Sequence, residues 1–88
     1  MKKNEAYKIL KYNDKKKIVE IKKPPHYFLD KHSHDFEVDI IVLSGDIEIT
    51  LSNSSITLLP GSRLKLKKNE EHTEKAGDAG VHFLSVRD

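Results

Sequence analysis

Residues 32–45 read HSHDFEVDIIVLSG and place two histidines just before a run of β-branched and other apolar residues. In a strand, His32 and His34 would point to the same face, about 6.6 Å apart along the chain. Two imidazoles so placed can converge on one metal ion, with each ring nitrogen about 2.0–2.1 Å from it. A His-x-His pair also occurs by chance on protein surfaces, so its interpretation depends on the surrounding sequence.

The chain after residue 26 alternates between β-rich runs and turn signals. Ile47, Ile49 and Leu51, for example, alternate with polar residues at the period of a half-buried strand. Strands separated by turns every 8–12 residues or so, roughly the spacing here, are typical of a β-sandwich or barrel. We predict strands at 15–23, 38–44, 47–51, 56–59, 63–67 and 81–86, and a short segment over 72–80. We predict turns at 44–46, 52–55, 60–61 and 69–71.

The N-terminus has a different pattern, with Ala6, Ile9 and Leu10 at the i, i+3, i+4 spacing of a helix. It predicts a short helix over 4–12, ahead of a β-barrel over 15–88. At 88 residues the chain has room for one core, because about 60% of the unfolded surface is buried at this size. We therefore expect an all-β single domain over 1–88 with a short N-terminal helix.

Composition excludes several classes of function. The chain has no cysteine, which rules out disulfides, thiolate catalysis and zinc fingers of the cysteine type. It has no apolar run long enough to span a membrane and no apolar stretch behind its N-terminus, so we expect no membrane association, no secretory signal and a cytoplasmic location. The net charge is only +2, and no aromatic residues are interleaved with the basic stretch over 15–23, so we expect no nucleic-acid partner.

Residues 28–88 carry spacings that resemble those of the cupin superfamily. The first cupin motif runs His-x-His, three or four residues, Glu (or Gln or His), six residues, Gly, and His32, His34 and Gly45 match it in type and spacing. The second runs Pro-x-Gly, two residues, His, three residues, Asn, and of these places only His72 matches outright. Asn69 stands at the glycine place, and asparagine tolerates the left-handed turn that glycine usually supplies.

Two further stretches strengthen the resemblance. Residues 60–62, Pro-Gly-Ser, resemble the Pro-Gly-Asp turn that commonly precedes the second motif. The segment from His72 to Val81 resembles that of small stand-alone bacterial cupins. The resemblance implies a small jelly-roll-like β-barrel whose histidines hold a divalent transition metal. Of the residues in the second motif, His72 is the implied ligand.

The chain departs from the family at the third ligand, because the Glu/Gln/His position falls on Val38, which cannot bind metal. Three interpretations stay open at this point. The site has three histidines and open positions, as in some metal-dependent cupin dioxygenases. Alternatively a carboxylate is recruited, either Glu74, two residues beyond His72 and on the same strand face, or Glu37 if the strand bulges there. In the third interpretation the site is degenerate and holds no metal.

The donor set limits the cofactor and the ligand. Imidazoles suit several divalent transition metals, so iron, zinc, nickel or manganese is the expected cofactor. Three neutral histidines leave the full charge of the ion in the site, which favours a small anionic ligand such as a keto acid. We expect the metal to bind, and to oxidise or isomerise, such a molecule, with Glu74 as ligand, supporting carboxylate or general base. The competing expectations are a non-catalytic small-molecule sensor or binding module, and a structural dimer with a degenerate site.

The apolar run over 38–43 leaves residues on both faces of its strand. If Val38 points inward, Ile41 and Leu43 point outward and need a cover, either the N-terminal helix or a second subunit. Cupins commonly form dimers, so the resemblance implies a homodimer. Arg63 alternates with Lys65 and Lys67, which predicts a solvated basic face.

Overall fold

Two long strands and four short ones build the protein in a computed structural model that describes residues 1–10 and 17–87. In chain order the elements are α1 (Lys3–Leu10), β1 (Lys17–Lys23), β2 (Phe28–His32), β3 (Val38–Thr50), β4 (Ser55–Leu58), β5 (Arg63–Leu66) and β6 (His72–Arg87). The helix predicted over 4–12 is present as far as Leu10, and the rest of that prediction lies outside the described residues.

The long antiparallel pair of β3 and β6 forms the centre of the sheet. Each of these strands pairs with a different short strand along each of its halves. β5 pairs with the first half of β3 and β4 with its second half, whereas β2 pairs with the first half of β6 and β1 with its second half. The sheet therefore curls around an interior, and the prediction of a small jelly-roll-like β-barrel with an N-terminal helix is confirmed.

The turn predicted at 44–46 and the break predicted between 72–80 and 81–86 are both wrong. Each of these segments lies within a long strand, and the register of β3 against β6 shifts between Val42 and Ser44 and again between Gly45 and Ile47. Gly45 has a φ of 72°, and a Cβ added there would lie 2.0 Å from the carbonyl oxygen of Gly80. The glycine signal therefore marks a bulge with close backbone approach, which bends the strand without ending it.

Two apolar clusters form on the two faces of β3, as alternation along a strand requires. Val38, Ile40 and Val42 face the barrel interior, while Ile41 and Leu43 pack on the outside. The outer cluster is completed by buried residues of the helix and of β6: Ala6, Leu10, Leu84 and Val86. The helix is thus the cover for this face, so the outward apolar residues no longer argue for a second subunit. The homodimer stays a prediction from the resemblance.

Arg63 lies on the exposed face that alternation predicts, and it also pairs with a buried carboxylate of the neighbouring strand. Its Nε donates to Asp39 Oδ1 at 2.9 Å and its terminal nitrogen to Asp39 Oδ2 at 2.6 Å. Asp39 is 7% exposed, so the two-pronged pair neutralises a charge that the sheet buries. Lys65 and Lys67, which alternate with leucines after Arg63, are exposed, as alternation predicts.

The helix also forms an ion pair with the barrel. Lys3 Nζ lies 3.1 Å from Glu20 Oε1 on β1, and His82 on β6 contacts the other oxygen of the same carboxylate. The Lys3 ammonium, and after it the His82 imidazole, holds the pKa of Glu20 below the usual glutamate range. Among the described residues no helix is long and apolar enough to cross a membrane.

The lowered pKa of Glu20 predicts a pH-dependent contribution to stability. A carboxyl whose pKa is lower in the folded state stabilises the fold above the unfolded-state value of about 4.3 and loses that contribution as the pH falls through the lower value. We expect Glu20→Gln to lower the Tm at pH 7 by no more than a few degrees, as is usual for exposed ion pairs, and the difference from wild type to vanish in acid. Thermal unfolding followed by circular dichroism across this pH range measures it.

The matched control is Glu37→Gln, which removes an exposed carboxylate that forms no ion pair within the described residues. It should leave the Tm unchanged at both ends of the pH range. A difference between Glu20→Gln and wild type that stays constant down to pH 3 would contradict the linkage to the Glu20 carboxylate.

Candidate metal centre

The structure brings three histidines together at one end of the barrel. His32 ends β2, His72 begins β6 directly opposite it, and His34 lies in the connection that follows β2. The ring nitrogens that could bind a metal all lie within 4.8 Å of one another. His34 is therefore not on the same strand as His32, and the turn of the chain after β2 brings its ring next to the other two.

Backbone carbonyls orient two of the three rings. His32 Nδ1 lies 2.8 Å from the carbonyl oxygen of Asp30, and His72 Nδ1 lies 3.0 Å from that of Glu70. A carbonyl oxygen only accepts, so each Nδ1 must carry the proton and donate it. In the neutral ring the lone pair is then on Nε2, which is the arrangement commonly found in metal-binding histidines.

The Nε2 atoms of His32 and His72 are buried and have no hydrogen-bond partner in the part of the chain that the structure describes. A carboxylate oxygen, Glu74 Oε2, lies 3.2 Å from His32 Nε2 and 3.4 Å from His72 Nε2. Two lone pairs and a carboxylate that face one point repel each other unless a positive charge lies among them. Imidazole nitrogens with one carboxylate oxygen are a donor set that suits divalent iron, zinc and nickel, so these residues fit a transition metal.

Glu74 is the carboxylate that the fold places beside the histidines. It follows His72 by two residues on β6 and so shares its face, and its side chain is only 13% exposed. Val38 forms part of the apolar wall of the same cavity. Glu37 lies before the start of β3, is exposed and does not line the cavity, so the alternative in which it reaches inward is not observed.

The environment of His34 favours its neutral form. Burial lowers the pKa of its imidazole below the usual histidine value, and the neighbouring His32 and His72 lower the pKa further. Its ring stacks on that of Phe36, with centres 5.1 Å apart. Only the neutral ring offers a lone pair, so this environment keeps His34 able to bind a metal over a wider range of pH.

The loop between β5 and β6 forms hydrogen bonds with two of the three histidines. Asn69 adopts a φ of 64°, the left-handed conformation expected for the residue at the glycine place of the motif. Its backbone N–H donates to the carbonyl oxygen of His34 at 2.6 Å. The backbone carbonyl oxygen of the next residue, Glu70, accepts a hydrogen bond from His72 Nδ1. One tight turn thus positions two of the three candidate ligands.

The cavity beside the histidines has a volume of about 260 Å³ and mostly apolar walls. Sequence reasoning missed two cations in its lining, Lys23 and Arg87, and the hydroxyl of Ser85. The signal was present in the last strand, where Phe83, Ser85 and Arg87 alternate with outward residues and so share one face. The two remaining histidines are elsewhere: His26 is exposed in a turn, and His82 pairs with Glu20 on the outer surface.

Comparison with known structures identifies the fold. A protein of unknown function from Rhizobium leguminosarum bv. viciae 3841 superposes with a TM-score of 0.78 at 20% identity, over 85% of this chain and 71% of that one. A cupin superfamily protein from Desulfitobacterium hafniense DCB-2 gives a TM-score of 0.69 at 14% identity, over 81% and 76%. The polyketide cyclase RemF from Streptomyces resistomycificus gives 0.71 at 25% identity, over 80% and 51%.

These likenesses show that the chain has a cupin fold, as its sequence motifs predicted. The chain spans between about half and three quarters of the length of these three structures. No sequence-family model matches the chain, and no curated protein matches it by sequence. The activity and ligand therefore have to be inferred from the site.

The left-handed turn at Asn69 predicts a selective response to substitution. Asn69→Gly should leave the free energy of unfolding nearly unchanged, because glycine adopts positive φ freely. Asn69→Val should lower it by about 1–2 kcal/mol, because a β-branched residue is strained there. Urea denaturation measures both, and Asn53→Val, in an exposed turn without positive φ, is the matched control. Equal stability of the valine and glycine variants would contradict the role of this turn.

Proposed function

We propose that the protein binds a divalent transition metal through His32, His34 and His72 and uses it to bind a small anionic molecule. The observation that carries this proposal is the pair of buried Nε2 atoms that lack a hydrogen-bond partner and face Glu74 Oε2. Each of these nitrogens has its lone pair directed into the cluster because its other ring nitrogen donates to a carbonyl. A bound cation would satisfy all of these groups together.

The side chains of the site have separate roles in this proposal. The three imidazoles hold the ion, and the carbonyls of Asp30 and Glu70 fix the orientation of two of them. When bound, an ion of this kind supplies Lewis-acid chemistry or a site for O₂. Among the described residues Glu74 is the only carboxylate that lines the cavity, so it serves either as a fourth ligand or as the group that takes a proton from the bound molecule.

The cavity walls support a role in binding small molecules. Apolar side chains line most of the space next to the histidines, and such walls exclude water and strengthen electrostatic interactions within the site. RemF, which shares this fold, is a polyketide cyclase, and this supports testing the protein for turnover as well as for binding. In the proposal the metal is needed for either activity.

Metal content tests the proposal directly. We expect untagged wild-type protein to contain close to one equivalent of iron, zinc, nickel or manganese by elemental mass spectrometry, or to take it up when the metal is added. His34→Gln and His72→Gln should each lose most of this metal, because each removes one of the ligands. Chelation should lower the Tm of wild type and leave that of the variants unchanged, because a bound ion stabilises only the folded state.

The matched control removes a histidine outside the cluster. His26→Asn keeps a residue that tolerates the φ of 62° at this turn, and it should retain the metal of wild type. Circular dichroism confirms that each variant is folded before its metal is measured. Folded wild type that stays empty in the presence of each of the four metals would overturn the proposal, and so would a His34→Gln/His72→Gln double variant that keeps its metal.

A further inference from the structure

We propose that the cavity binds a short monocarboxylate with an apolar body, and that Arg87 binds its carboxylate. This inference rests on the proposed metal site and adds to it the class of ligand and a binding residue. It follows from three features of the cavity: the placement of Arg87, the charges that face the cavity, and the volume and polarity of the walls.

Arg87 is the exposed last residue of β6 and lines the same cavity as the three histidines. It lies on the same strand face as Phe83 and Ser85, and all three line the cavity. Its guanidinium carbon lies 5.6 Å from the centre of the Phe36 ring, which in turn stacks on His34. The planar guanidinium therefore lies over a ring that contacts a candidate metal ligand, and its fork matches the two oxygens of a carboxylate.

The charges that face the cavity favour an anion. Over residues 1–10 and 17–87, no carboxylate forms an ion pair with Arg87, and the one carboxylate in the lining, Glu74, faces the histidines. The second cation, Lys23, lies over the ring of Tyr27, with its Nζ 4.5 Å from the ring centre. A divalent ion at the histidines would add to this positive charge, so a ligand that carries one negative charge is attracted.

The walls of the cavity limit the size and the polarity of the rest of the ligand. The cavity volume of about 260 Å³ limits the ligand to a small molecule. Apolar side chains make up half of the residues that line it: Val19, Ile21, Leu29, Val38, Ile40, Leu66 and Phe83. A second carboxylate would be desolvated against these walls, and the other cation of the lining, Lys23, already lies over the Tyr27 ring, so dicarboxylates are disfavoured.

A 2-oxo acid with a branched aliphatic tail is a suitable probe, because it has one carboxylate, a neighbouring oxygen donor and an apolar body. We expect 4-methyl-2-oxopentanoate to bind zinc-loaded wild type in isothermal titration calorimetry. It should bind more tightly than pyruvate, which lacks the tail, than 2-oxoglutarate, which adds a charge, and than 4-methylpentan-2-one, which lacks the carboxylate. The metal content of every sample is measured first.

Variants at Arg87 then test its role. Arg87→Gln should weaken binding of 4-methyl-2-oxopentanoate by about tenfold or more at unchanged zinc content, because it removes a charge-assisted pair of hydrogen bonds. Arg87→Lys, which keeps the charge but not the fork, should recover part of the affinity. Lys65→Gln is the matched control, since Lys65 is exposed on β5 outside the cavity lining, and its affinity should equal that of wild type.

The outcomes separate this inference from the proposed function. Equal affinity of zinc-loaded wild type and zinc-loaded Arg87→Gln for the probe would overturn the assignment of Arg87 and leave the metal site intact. Zinc-loaded wild type that binds 2-oxoglutarate more tightly, or none of the acids at millimolar concentration, would overturn the ligand class. Wild type that takes up none of zinc, iron, nickel and manganese would instead overturn the metal site, and the inference with it.

Discussion

The antiparallel pairing of β3 with β6 is the interaction on which the rest of the structure depends. Each of the two strands is long enough to pair with a different short strand along each of its halves. All four short strands of the sheet are therefore connected through this pair. It also determines the position of the site, because β6 begins at His72, continues through Glu74 and ends at Arg87. One strand thus supplies a candidate ligand, the neighbouring carboxylate and a cation that lines the same cavity.

The chemistry of the site depends on hydrogen bonds made outside it. The carbonyl groups of Asp30 and Glu70 determine which nitrogen of His32 and His72 carries the proton, and hence where each lone pair points. Because both lone pairs are buried, the fold accepts unsatisfied polar atoms that ordinary interiors avoid. In a protein with so small a core, an arrangement of this kind is more readily understood as a site for a cation than as part of the packing.

Much of the fold could be predicted because its signals are local. Alternation identified the inward and outward faces of β3, and the outward residue Ile41 is indeed covered by the helix. The errors came from the same local signals: Gly45 and Gly80 were interpreted as a turn and a break, although they allow two backbones to approach within a bulge. Alternation also predicted the exposed position of Arg63 but not its partner, because only the register of β5 against β3 brings it to Asp39.

The sequence by itself determined the cupin-like spacing of His32, His34 and His72, since a motif records which residue types recur at which intervals. It could not choose between Glu37 and Glu74, because both lie close in sequence to a histidine and local spacing allows either to reach inward. The tertiary structure decided this by starting β3 only after Glu37 and by extending β6 through Glu74. It also brought Arg87 over the ring of Phe36, which stacks on His34, from more than fifty residues away, a proximity that depends on strand pairing across the whole barrel.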